Sequence, residues 1–591
     1  MSPAHFGPVF TANGILFRLW APKQQKVSLR VDDRDPIPMV KGLDGWFSAD
    51  VEGASAGSLY KFIMPDGLEV PDPASRFQPD GPHGASQVID PGRYAWTEES
   101  WAGRPWEESV VYELHVGTFT PEGTFRALND RLQHLQSLGI TAIQLMPVND
   151  FPGGRGWGYD GVLPYAPKET YGRPEDLKAL VDAAHAHGIS VFLDVIYNHF
   201  GPDGNYLPVY APLFTEKHKS PWGSGINYDG EGSDMVREFV IMNALYWLKE
   251  FRVDGLRFDA VHAIIDDSSE HLLREMARRI RETVTGREIH LIVENEDNTS
   301  SLLARDTHGR PPLYTAQWND DIHHVLHVAA TGEEFGYYAD FADDSDRIGR
   351  GLAEGFVYQG EHMPYRGSER GEPSTALPPT AFISFIQNHD QIGNRAFGDR
   401  LSTSTLPEAI RAIAAVYLLA PQVPMLFMGE EWAAKQPFPY FCDFHEELNA
   451  IVRKGRREEL SRLPGFGEGD DVSEAPDPTK IETFRSAKLD WNDPLVGEGA
   501  EQLAFYRRLL DLRRREIIPR LSGASSGSYR TQGRLIAVSW PMGDGRTLVL
   551  QANLGAERQR TAEPMIGKVI WQQGQWSDDG VDPWSVRWSI S

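Results

Sequence analysis

The sequence predicts an α/β fold: a (β/α)8 (TIM) barrel flanked by an N-terminal β-sandwich and a small C-terminal all-β domain. Three observations predict it. Residues 105–520 alternate short apolar runs with helical stretches, and eight such units closing on themselves make a parallel barrel. Residues 1–104 and 521–591 instead carry short strands between Gly, Asp and Pro clusters, the pattern of small β domains. Polar clusters rich in carboxylates fall where predicted strands end, on the face where this architecture carries its active sites.

Taken in order, residues 1–104 hold alternating stretches such as Ile15-Leu16-Phe17-Arg18-Leu19-Trp20, Val27-Ser28-Leu29-Arg30-Val31 and Leu59-Tyr60-Lys61-Phe62-Ile63. The segment 90–105, with Gly92, Gly103 and Pro105, reads as a linker. The barrel opens with a strand over 110–119 and a helix near 124–138. Strands follow over 142–148, 190–195, 255–261, 289–294, 315–318, 381–387 and 423–428. The clearest helices between and after them are 174–187, 235–251, 407–419 and 501–515, for eight strand–helix repeats in all. Two long insertions, 199–233 after the third strand and 430–500 after the eighth, belong to the active-site face. The tail 521–591 returns to short strands, as at 535–540 and 547–552.

Composition narrows the function classes. Apolar residues make up 41% of the 591, too many for a disordered chain. A net charge of −26 disfavours nucleic-acid backbones, whose binding rests on Lys and Arg neutralising phosphate, and disfavours anionic membranes. A neutral sugar is not disfavoured. Cys442 is the lone cysteine, which rules out an internal disulfide and a four-cysteine zinc site. The start, MSPAHFGPVF, has neither a basic n-region nor a long apolar h-region. No apolar run approaches the roughly 18 residues of a membrane span, so a cytoplasmic protein is expected. Gly153-Gly154-Arg155-Gly156 is glycine-rich but is not a P-loop; no cofactor is expected.

Four polar clusters end predicted strands: Asp194-Val-Ile-Tyr-Asn198-His199, Gly255-Leu-Arg257-Phe-Asp259-Ala-Val-His262, Ile292-Val293-Glu294-Asn295-Glu296 and Gln387-Asn388-His389-Asp390-Gln391. One such cluster is an ordinary polar loop, and a lone Asp at a strand end is commonly a helix cap. Four on one rim point to function, because burying several carboxylates beside Arg257 costs stability. Carboxylates without a metal-ligand pattern suit glycoside hydrolysis, where one attacks the anomeric carbon and a protonated second serves the departing oxygen. Asp259 and Glu294 stand one βα unit apart. Arg257, two residues before Asp259, points to the same side of its strand and can keep that carboxylate ionised. Glu294 must be held protonated by partial burial and nearby negative charge. Asp390 is placed to orient the sugar and to favour the positive charge of the transition state. Glu296 is the rival acid.

The segments DVIYNH, GLRFDAVH, VEN at 293–295 and QNHDQ resemble, in order and spacing, the four signature regions of the α-amylase family of glycoside hydrolases. The resemblance implies Asp259 as nucleophile, Glu294 as general acid/base and Asp390 as transition-state stabiliser. It places Asp194, Arg257, His199, Asn388 and His389 around the sugar at the cleavage point, and makes Tyr159 a ring-stacking aromatic. The N-terminal sandwich would be carbohydrate-binding-module-like. Three further stretches, Gln317-Trp318-Asn319-Asp320-Asp321-Ile322-His323-His324 with Thr331-Gly332-Glu333, Asn388 to Arg395, and Glu294 to Asn298, resemble members that cleave the α-1,4 bond beside a terminal trehalose. The substrate so implied is maltooligosyltrehalose, an α-glucan ending in trehalose. Trp318, Asp320, Asp321 and His324, with His262, would then hold that disaccharide, although Asp320 and Asp321 also suit a helix cap. Ile322 departs from the family's Phe. A glycogen branching enzyme and an inactive glucan-binding barrel are the alternatives. Many relatives hold calcium near the equivalent of Asn198, but the insertion 199–233 supplies too few of the six to eight oxygens calcium takes, so no metal is expected.

Overall fold

Eight short strands without one exposed residue close the barrel. They are β1 (Val111–Leu114), β2 (Ala142–Leu145), β3 (Ser190–Val195), β4 (Gly255–Phe258), β5 (His290–Val293), β6 (Ala316–Trp318), β7 (Phe382–Ser384) and β8 (Val423–Phe427). Each pairs in parallel with the next, and β8 returns to β1 through Met425 and Val111. Strands buried on both faces need apolar residues on both, hence runs rather than alternation. The computed structural model describes residues 5–220, 223–342, 344–461, 475–560 and 564–591.

The barrel interior is graded. Ala142, Phe192, Ile292, Ala316, Ile383 and Met425 pack as one apolar cluster. Trp106 belongs to it and donates its Nε1–H to the Thr380 carbonyl at 2.6 Å. Toward the strand C-termini the buried side chains turn polar, with Glu113, Asp194 and Arg257 all at 0–1% exposure. Burying so many charges is costly unless they meet one another, and they do, as described below.

Several sequence expectations change. The strand expected over 110–119 stops at Leu114, and Val116–Phe119 is a helical turn; His115 starts it by bonding Thr118 and the Gly156 carbonyl. The eight strand–helix repeats are not all complete. Helices α1 (Pro174–Ala186), α2 (Ser233–Glu250) and α3 (Leu272–Thr283) follow β2, β3 and β4. Between β5 and β6 stands only a 3-10 turn, Ser300–Leu303. Arg305 and Arg281 brace that stretch through the carbonyls of Leu303, Leu313 and Thr315. The segment 90–105 is no loose linker. Asp182 of α1 accepts from Tyr94, Thr97 and the Glu98 amide, and Asp254 accepts from Trp101 at 2.7 Å.

α4 (Asp320–Thr331) follows β6 and α5 (Pro407–Leu419) precedes β8. The insertion 199–233 contains a hairpin, Phe214–Ser220 with Gly223–Ile226. Within 430–500 lies α6 (Glu446–Leu460), whereas 462–474 fall outside the described residues. α7 (Gly497–Leu512) completes the outer ring.

Before the barrel, two antiparallel sheets meet through Phe17 and Tyr60, whose rings are 4.8 Å apart. They brace the insertion 199–233. Gln24 donates to the Val209 carbonyl at 2.7 Å, Tyr210 donates to the Pro71 carbonyl at 2.6 Å, and His83 bonds both Tyr206 and Asp203. The C-terminal five-stranded sheet docks on α5 and on the helix Ser345–Glu354 through two stacked tryptophans. Trp588 donates to the Ala415 carbonyl and Trp540 to that of Leu352. Among the described residues no helix is long and apolar enough to cross a membrane.

Candidate active site

A groove of about 990 Å³ opens over the C-terminal ends of the strands. Asp259, Glu294 and Asp390 all line it. β4 delivers Arg257 and Asp259 to the same side, two residues apart, as the strand period requires. The Arg257 guanidinium is fully buried and joins three carboxylates: Nη1 meets Asp194 at 2.7 Å and Asp259 at 2.8 Å, and Nη2 meets Glu294 at 2.6 Å. It lies 4.1 Å above the Trp318 ring. One fork therefore caps the distance between Asp259 and Glu294. The bond to Glu294 was not expected from sequence.

The two acids differ in their remaining neighbours. Both oxygens of Asp259 are held, Oδ1 by Arg257 and Oδ2 by the Asn198 amide at 2.7 Å. Burial would raise its pKa, but the charge of Arg257, then His199 and the Asn198 bond, hold it below the ordinary carboxylate range. For Glu294, burial dominates. The negative charges of Asp259, Asp390 and Asp320 add to it, and together they outweigh Arg257 and raise the acid well above its usual range. Its Oε2 accepts from Arg257 and from the Ala260 amide at 2.9 Å, which leaves Oε1 to carry the proton. Ala260 has φ +38, a left-handed conformation that costs a non-glycine residue about 1–3 kcal/mol. That turn aims its N–H at Glu294. Glu296 instead stands at the rim, two-thirds exposed, beside His262.

The other expected residues separate into two groups. Tyr159, His199, His262, Asp320, His324 and Asn388 line the groove. Asp194, Arg257, Trp318 and His389 lie beneath it, 0–1% exposed. Asp194 accepts from Tyr159 at 2.8 Å, and its carboxyl is pushed up to about 7 by burial and Asp259, against Arg257. Asp320 is likewise raised to about 7 by burial, against Arg370 and with help from Asp321 and Asp390. Burial lowers His324 well below its ordinary value, and His323 and Arg370 add to this. It is a neutral ring packed on Tyr337 and Phe341.

Asp321 corrects the sequence reading. It faces away from the groove, its oxygens taken by Arg370 at 2.6 Å, Asn298 at 3.0 Å and the Val357 amide at 2.8 Å. It ties together the loop after β5, α4 and the hairpin Glu361–Met363 with Ser368–Arg370. Asp321→Ala is therefore expected to cost about 3–5 kcal/mol, the penalty for stranding a buried charge. A thermal melt should show a clearly lower midpoint, and loss of substrate selection at unchanged stability would contradict this.

Sequence reasoning missed several lining residues. Trp157 sits in the same Gly156–Asp160 stretch as Tyr159, and Tyr440 and Arg456 come from the insertion after β8. Tyr337, Tyr365 and Arg366 line the side of α4, and no motif marked them. Glu113, a lone acid in an apolar strand, carried a signal that was overlooked.

The sequence predicted no metal. Asn198, where the family resemblance would place calcium, has its amide on Asp259 and its carbonyl oxygen against His199. Among the described residues, His218, Asp229 and Asp267 place possible ligand atoms within 4.8 Å of one another. The Lys217 ammonium already stands there, 2.7 Å from Asp229 and 2.9 Å from Asp267.

Comparison with known proteins fits this geometry. Residues 78–210 match the model "Alpha amylase, catalytic domain", and residues 523–588 match "Domain of unknown function (DUF3459)". A malto-oligosyltrehalose trehalohydrolase of Deinococcus radiodurans is 42% identical over 93% of this chain and 89% of its own length. The crystal structure of a candidate alpha amylase from Salmonella typhimurium superposes with a TM-score of 0.95 at 48% identity, covering 99% of both chains. A 1,4-alpha-glucan branching enzyme of Corynebacterium jeikeium is 34% identical, but over only 43% of this chain and 38% of its own. The chain belongs to the malto-oligosyltrehalose trehalohydrolases, within the alpha-amylase family of glycoside hydrolases.

Proposed function

We propose that the groove binds maltooligosyltrehalose and hydrolyses the α-1,4 bond next to its terminal trehalose, releasing trehalose and a maltooligosaccharide. The observation that carries this is the single guanidinium shared by an acid driven toward ionisation and an acid driven toward protonation. A retaining double displacement needs that pair about 5–5.5 Å apart.

In the first step an oxygen of Asp259 attacks the anomeric carbon. The bond to the trehalosyl oxygen breaks, and that oxygen takes the proton from Glu294 Oε1. Trehalose leaves. In the second step Glu294, now ionised, removes a proton from water as the water attacks the same carbon. The glycosyl–Asp259 bond breaks and both acids return to their starting states. Asp390 faces the groove with its side chain about a third exposed, suited to stabilising the oxocarbenium-like charge. Tyr159 would stack on the ring at the cleavage point. Asp320 and His324, both groups that bond neutral hydroxyls, would meet the trehalose end.

The decisive assay offers maltooligosyltrehalose and amylose separately. Free trehalose from the first supports the reading. New α-1,6 branches on amylose without trehalose would establish the branching alternative, and glucan binding without turnover the inactive barrel. Buried Cys442 forms no disulfide, which suits the cytoplasm as the place of work.

A further inference from the structure

We infer that Glu113 is a positioning residue for this reaction: from β1 it fixes the ring of His389 against Asp390. The inference rests on the hydrolytic reading above. Glu113 is wholly buried in a strand whose other members are Val111, Tyr112 and Leu114. A carboxylate in such a place is strongly unfavourable unless fully bonded. Both of its oxygens go to one residue: Oε1 accepts from His389 Nδ1 at 2.6 Å, and Oε2 from the His389 amide at 3.1 Å. The other ring nitrogen, Nε2, lies 3.4 Å from Asp390 Oδ2. Tyr159 stacks over the ring at 5.1 Å, and Trp157 meets it edge-on at 5.4 Å.

The result is a carboxylate–imidazole–carboxylate row of which only Asp390 reaches the groove. An apolar residue at 113 would fill the strand equally well but leave Nδ1–H unpaired. A ring held only by packing could turn over and present the wrong nitrogen. Glu113 prevents this, because only a donor at Nδ1 satisfies it. Burial alone would discharge the ring. Asp390 and Glu113 overcome burial and the opposing charge of Arg257, and hold the imidazolium up to about 9. Asp194 and His115 are the other titrating groups that feel the ring. The cation orients Asp390 while the sugar ring becomes positive.

The test is a cycle of Glu113→Gln, His389→Gln and the double variant, with kcat measured on maltooligosyltrehalose. Glu113→Gln should lower kcat about 10- to 100-fold, the scale of one hydrogen bond to a charged group. In the His389→Gln background the same change should cost less than about threefold, since the two act as a unit. Multiplying losses would overturn the proposal. NMR of ¹⁵N-histidine protein supplies a second readout, the His389 signal being the one missing from His389→Gln. In the unaltered protein it should stay protonated to about 9, and in Glu113→Gln it should lose its proton closer to the ordinary value near about 6.5. Identical titrations would also overturn it. Should Glu113→Gln not fold, Glu113→Asp carries the same cycle, with the charge kept and the reach shortened: kcat falls while the imidazolium persists. This titration reads the pair whatever the substrate, so absence of trehalose release would defeat the functional reading without touching it.

Discussion

Glu294→Gln is expected to slow trehalose release by about 10²–10⁴-fold, the usual worth of a positioned general acid, while the protein stays folded. The amide matches the carboxyl in shape and can still accept from Arg257 and Ala260, so the local bonds survive. What is lost is the proton on Oε1. The pH profile carries the sign. Unaltered kcat/KM should fall on the acid side as Asp259 protonates, below the ordinary carboxylate range. It should fall on the alkaline side as Glu294 ionises, above its ordinary range. The Gln variant should keep the acid limb and lose the alkaline one. A purified variant with normal turnover, or an unchanged alkaline limb, would remove Glu294 from the mechanism.

The second large effect belongs to Arg257→Lys. An ammonium is a point charge and cannot span three carboxylates as a planar fork does. Asp194, Asp259 and Glu294 would share one incomplete partner in a largely buried place. Catalysis should fall at least about 10²–10³-fold, the cost of losing one preorganised donor. The acid limb should also move to higher pH, because the charge that holds Asp259 low is weakened. Stability should drop with it, since buried carboxylates are left under-paired. Kinetics across pH and a melting curve on one preparation would check all three, and near-normal activity would show that the fork is dispensable.

The barrel was legible because its strands are apolar on both faces and its helices have clear periodicity. Strand Ser190–Val195 and helix Pro407–Leu419 were read residue for residue. Asp259 and Glu294 were legible because each directly follows an apolar strand, and Asp390 because its QNHDQ segment resembles a signature region. What could not be read was direction and long-range pairing. Asp320 and Asp321 are adjacent acids at one helix start, and a guanidinium 49 positions from Asp321 helps decide which one faces the groove. The hairpin Glu361–Met363 with Ser368–Arg370 is mostly polar and shows no alternation. Its place comes from Arg370 meeting Asp321 and the Glu296 carbonyl. The missing helix after β5 had no local signal of its own.

The pairing of β1 with β8 has a consequence for how the molecule is made. The Tyr112 hydroxyl meets Glu431 across 319 positions, and the Glu113 carboxylate meets His389 across 276. As the chain leaves the ribosome, its first barrel strand must wait for almost the whole remaining barrel before these groups find a counterpart. Fragments ending before that point would leave an apolar strand with an unpaired Glu113 and invite chaperones or proteases. Hydrolytic power would then switch on late, once the far end of the barrel has closed on its first strand.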